Sequence, residues 1–63
     1  MTTLSSSAIR AVDYNEFTGE LTLYFHSSGG YTFYRVPWEI YAGLVSSSSP
    51  GTFYNQHIRG RYA

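Results

Sequence analysis

Seven tyrosines, four phenylalanines and one tryptophan share 63 residues with four cations, all arginine, and the densest run of both is Tyr31-Thr32-Phe33-Tyr34-Arg35-Val36-Pro37-Trp38. Guanidinium groups stack on rings and fork onto phosphates or carboxylates, which ammonium groups do less well. Arginine without lysine therefore leans toward a recognition surface built on ring stacking and anion contact.

Reaction chemistry is less well supplied. A structural or catalytic metal needs three or four converging ligands, and the chain offers His26 and His57 with no cysteine and no close histidine–carboxylate spacing. Ser47 and Ser49 lack the neighbouring base and orienting group that make a serine nucleophilic. Glu16 and Glu20 are spaced like a carboxylate pair but flank a turn rich in polar residues. The expectation is a chain that is no enzyme, uses no cofactor or metal, and acts by binding. Arg59 and Arg61, followed by Tyr62, are the best local hint of an anion contact. An arginine near a helix C-terminus, favoured by about 0.3 to 1 kcal/mol, accounts for them equally well. Free amides at the start of a helix after the serine run are a further, weaker phosphate geometry.

These side chains must be positioned by one small domain. A chain this short hides only about 60% of the surface its unfolded form exposes, and no disulfide can reinforce it. Buried rings, each removing roughly 150 to 250 Å² from water, are the expected substitute. The net charge is zero, but Asp13, Glu16 and Glu20 gather early while Arg59 and Arg61 gather late, so the molecule is dipolar. No run approaches the roughly 18 apolar residues that cross a bilayer, and the N-terminus lacks the basic start and apolar core of a leader. A cytoplasmic protein with no membrane partner is expected.

Residues 1–7 are small and polar and read as a flexible arm, leaving 8–63 as a single domain. Ile9, Val12 and Tyr14 suit a strand over residues 8–14, with a bulge where alternation slips between Ile9 and Val12. Residues 15–20 form a turn that Gly19 can close at positive φ. Leu21, Leu23 and Phe25 alternate with Thr22, Tyr24 and His26, the cleanest period of two in the chain. Residues 27–30 turn again, and a third strand over residues 31–36 stops at Pro37. From Pro37, taken as a first helical residue, Ile40, Tyr41, Leu44 and Val45 form a helical stripe, with Gly43 allowing close approach to the sheet. Ser49 as N-cap and Pro50 start a second short helix carrying Phe53, Tyr54, His57 and Ile58, which Gly60 stops. The fold class expected is α+β: a three-stranded antiparallel meander packed against two short C-terminal helices.

The order of Ser7 and Ile9, Tyr14-Asn15, Leu21-x-Leu23-x-Phe25, Gly29, Tyr31-x-Phe33, Val36-Pro37, Tyr41, Gly51, Phe53, Asn55 and Ile58-Arg59-Gly60 resembles the KTSC family, over nearly the whole chain from Ser7 to Tyr62. Phe33 stands where the family's central Tyr-x-Tyr motif has its second tyrosine. The resemblance implies a small domain of the kind that occurs alone in bacteria and phages and at the C-terminus of some lysyl-tRNA synthetases. It implies a module class, with RNA binding as the attached suggestion, and no established activity.

Strand register decides which rings face the helices, because a slip of one residue exchanges the two faces. A three-residue loop closed by Gly29 or Gly30 puts Tyr31 and Phe33 with Leu21, Leu23 and Phe25, and hiding such side chains is worth roughly 1.5 to 3 kcal/mol each. That register is the one expected, with Trp38, Tyr41 and Leu44 closing the edge. Tyr24, His26, Thr32 and Tyr34 then share the other face, with Arg10 near them. Rings on an open sheet can stack unpaired bases at about 1 to 3 kcal/mol per base, with Arg10, Arg35, Arg59 and Arg61 meeting phosphates. Tyrosine also sits on solvated strands because it fits a pleated surface. Two functions follow: a module binding RNA or single-stranded nucleic acid through Arg10, Tyr24, Tyr34, Arg35, Arg59 and Arg61, or a module pairing with a protein partner or itself through a strand edge or the same tyrosines.

Overall fold

The structure, a computed structural model, describes residues 2–62. Met1, the start of the expected arm, and Ala63 lie outside the described residues. Four strands, β1 (Thr2–Thr3), β2 (Ile9–Asn15), β3 (Glu20–Phe25) and β4 (Gly29–Phe33), form one antiparallel sheet in the order β1-β2-β3-β4. Helices α1 (Trp38–Ser46) and α2 (Pro50–His57) follow. The class is the expected α+β, but the sheet has four strands rather than three. Thr2 and Thr3, in the segment read as an arm, pair with Val12 and Ala11. Two polar residues carry no visible alternation, so only the free edge of β2 reveals them as a strand.

The bulge in β2 falls where alternation slips. Ile9 pairs with Phe25 and Ala11 with Tyr24, leaving Arg10 as the extra residue. Ile9 and Val12 thereby both reach the core, while Arg10 is turned out. At the other end of β2, the Asn15 carbonyl accepts from Gly19 N–H at 2.8 Å and its side-chain oxygen accepts from Phe17 N–H at 3.0 Å. Gly19, at φ +76°, supplies the left-handed residue that closes this turn.

The β3–β4 connection has three residues, since Phe25 pairs with Gly29, and Gly29 stands at φ +82°. The expected register results: Leu23 faces Tyr31 and Leu21 faces Phe33. The core is Ile9, Val12, Leu21, Leu23, Val36, Leu44 and Ile58. Over it, α2 sets Tyr54 edge-on to Phe25 and Phe33, at 5.2 and 6.0 Å between centroids. On α1, Tyr41 stacks on Tyr14 at 4.8 Å.

Several details differ from the sequence-based expectation. The last strand ends at Phe33 rather than Val36, because Arg35 takes a left-handed φ of 59° and turns the chain out of the sheet. Pro37 is the N-cap of α1, not its first residue. Gly43 makes room for α2 rather than for the sheet: a Cβ there would lie 2.6 Å from Phe53 Cζ. Ser49 occupies the N-cap position of α2 without a side-chain hydrogen bond. Its carbonyl instead accepts from Phe53 N–H at 3.0 Å. Trp38 does not close the sheet edge but is exposed, and Tyr31 shares the core face yet is also exposed, because the helices cover β3 more fully than the outer strand.

Candidate functional site

Residues paired across strands point to the same side, and sides alternate along each strand. The face away from the helices therefore carries Ala11, Asp13, Thr22, Tyr24, Glu20 and Thr32. Tyr24 is half-buried, its ring lying across Gly30, where a Cβ would come within 3.0 Å of it. The bulge aims Arg10 over the same ring, with the guanidinium carbon 5.9 Å from the centroid, a cation–π distance. Thr22 and Thr32 hydrogen-bond through their hydroxyls at 2.9 Å.

The six residues expected to bind nucleic acid are thus only partly assembled. Arg10 and Tyr24 meet. Tyr34 lies one residue beyond the end of β4, four residues along from the Gly30 that pairs with Tyr24, a span of about 13 Å. Arg35 neighbours Tyr34 in the bend. Arg59 reaches Asn55 Oδ1 by a long contact of 3.5 Å, and Arg61 Nε donates to the Gln56 carbonyl at 3.0 Å, so both are held by the last turn of α2. That is the helix-terminus role open to them from the start. Glu20, exposed on the Tyr24 face, would repel a phosphate chain crossing it.

The histidines stand apart. His26 Nε2 donates to the Ser6 carbonyl at 2.9 Å, and His57 packs 4.4 Å from the Phe53 ring. A cavity of about 320 Å³ opens between segments 5–8 and 48–52 at the start of α2. Its walls are serines, Thr52, Ala8, Pro50 and Gly51, with no titratable side chain. It offers hydroxyls and amides but nothing that could move a proton at neutral pH.

Sequence reasoning expected Tyr34 to be exposed but not Phe17, Tyr31 or Trp38. Phe17, Tyr31, Tyr34 and Trp38 are all large rings open to solvent. Phe17 could have been noticed as an aromatic residue set among turn formers, where no strand pattern demands it. Tyr34 and Trp38 flank Val36 in the chain, and the Val36 N–H donates at 2.9 Å to the carbonyl of Gly19, in the turn that carries Phe17, while its carbonyl accepts from the Tyr14 hydroxyl at 2.6 Å. Burial raises the Tyr14 phenol above its ordinary value, and the carboxylates of Glu16 and Glu39 push it the same way. No helix among the described residues is long and apolar enough to cross a membrane.

Comparison with known proteins places this arrangement. A protein from Tsukamurella paurometabola is 34% identical over 62 residues, covering 98% of this chain and 92% of its own. The crystal structure of a KTSC domain protein from Yersinia pestis superposes with a TM-score of 0.96 at 27% identity, covering 98% of this chain and 87% of that one. Residues 5–62 match the family model of the KTSC domain, and the chain belongs to the KTSC domain family.

Proposed function

We propose that this domain is a non-catalytic protein-interaction module that takes an extended segment of a partner onto the free edge of β4. The observation that carries the reading is the edge itself. β4 ends the sheet, its residues 29–32 are exposed, and it has neither the lysine nor the proline that commonly blunts such edges. An added strand satisfies the unpaired amides and carbonyls, and Tyr31 offers its side chain a ring to pack on. Binding without turnover is part of the same reading.

A second reading, binding of RNA or single-stranded nucleic acid through Arg10, Tyr24, Tyr34, Arg35, Arg59 and Arg61, is favoured by one contact, Arg10 over Tyr24. The exposed Glu20 carboxylate on the same face weighs against it.

The two are separated by titrating the protein, followed by amide chemical shifts, with a β-forming peptide and with a single-stranded RNA oligomer. Shifts confined to residues 29–33 on adding peptide, and abolished when alternate peptide amides are methylated, are expected. Salt-sensitive shifts at Arg10 and Tyr24 on adding RNA, with no response to peptide, would select the second reading.

A further inference from the structure

Resting on the β4-edge reading, the chemistry of the partner can be narrowed. Phe17 is 92% exposed, Trp38 56% and Tyr34 51%. They come from separate stretches that the fold presses together. The Gly19 carbonyl accepts from Val36 N–H, and a Cβ on Gly19 would stand 3.1 Å from Arg35 Cα, so the turn bearing Phe17 rests on the connection that bears Tyr34 and leads into Trp38. Glu16, Glu20 and Glu39 belong to the same stretches and are exposed, three carboxylates against the single guanidinium of Arg35. The other arginines are placed elsewhere, Arg10 over Tyr24 and Arg59 and Arg61 on the end of α2.

Ring faces and carboxylates both attract cations, and together they repel phosphate. Phe33 ends β4 and directly precedes Tyr34, so a strand added to β4 and continuing past Phe33 leaves the edge beside the connection that carries Tyr34 and leads into Trp38. We infer that the surface formed by Phe17, Tyr34 and Trp38 receives an arginine- or lysine-bearing continuation of the partner strand, making the preferred partner a cationic extended peptide.

The test uses the full chain and fluorescence of Trp38, with two peptides of one β-forming sequence flanked at both ends by either arginine pairs or serine pairs. The arginine peptide is expected to bind at least tenfold more tightly at 50 mM salt, with the advantage shrinking at 500 mM as charges are screened. The double variant Glu16→Gln/Glu39→Gln should bring the two peptides within about twofold while leaving the serine peptide's affinity unchanged. Phe17→Ser, at a side chain that packs on almost nothing, should weaken the arginine peptide alone and leave the thermal midpoint in place. Equal binding of both peptides overturns the cationic preference and leaves the β4 edge standing. Failure of both peptides to bind overturns the edge reading and the inference with it. Salt-sensitive binding of single-stranded RNA in place of peptide, or self-association of the chain through its own arginine tail, likewise overturns the inference.

Discussion

The Tyr14 hydroxyl donates to the Val36 carbonyl at 2.6 Å, joining β2 to the connection between β4 and α1 across 22 residues of sequence. The same ring lies flat on Tyr41 of α1. One side chain thus holds the sheet, the first helix and the aromatic end of the molecule in a single arrangement. Tyr14→Phe keeps the stack and removes the hydrogen bond. It should cost about 1 kcal/mol in urea unfolding, since a partly buried carbonyl loses its partner.

The raised pKa of Tyr14 makes stability fall in alkali. Its phenol is harder to ionise folded than unfolded, so its contribution is complete below about pH 10, the unfolded value, and is lost as pH rises through the folded one. The thermal midpoint should decline above pH 10, and Tyr14→Phe should decline less steeply over the same range. Parallel curves for the two proteins would remove Tyr14 as the cause.

At Gly43 two effects oppose each other. Alanine gains about 1 kcal/mol of helix propensity, but its methyl group would lie 2.6 Å from the Phe53 ring. Overpacking of a helix contact costs about 1 to 3 kcal/mol and should win. Gly43→Ala is therefore destabilising in denaturant titration, and Phe53→Leu in the same chain should recover part of the loss.

Arg35 is the one described non-glycine residue at positive φ. A side chain there costs about 1 to 2 kcal/mol, part of which glycine gives back through its freer unfolded chain. Arg35→Gly should raise stability by about 0.5 to 1 kcal/mol, read as a higher urea midpoint with an unchanged slope.

Tyr24 covers Gly30 and holds Arg10. Tyr24→Ala should destabilise by about 1 kcal/mol through lost ring packing on the sheet. Under the β4-edge reading the effect on peptide affinity, measured by Trp38 fluorescence, stays within about twofold.

The register of β3 and β4 was legible because Leu21, Leu23 and Phe25 alternate and Gly29 can close a three-residue loop. Both signals are local. The bulge at Arg10 was legible for a similar reason: Ile9 and Val12 cannot reach one face without an extra residue. Gly19 announced its own turn. β1 was not legible, since Thr2 and Thr3 pair only because β2 has an open edge many residues away. Nor was the distance between Tyr24 and Tyr34, which depends on Arg35 turning the chain out of the strand.

By itself the sequence determined an α+β meander with two helices, the side of the sheet that the residues of β3 and β4 take, and membership of a small aromatic, arginine-bearing class. Those follow from periods of two and 3.6 and from glycine conformations, which neighbouring residues settle among themselves. Only the tertiary structure decided that Tyr31 and Trp38 stay exposed, that the turn bearing Phe17 rests on the connection bearing Tyr34, and that the arginines are scattered. Exposure and charge clustering arise where distant segments meet, and they depend on how far the helices reach across the sheet.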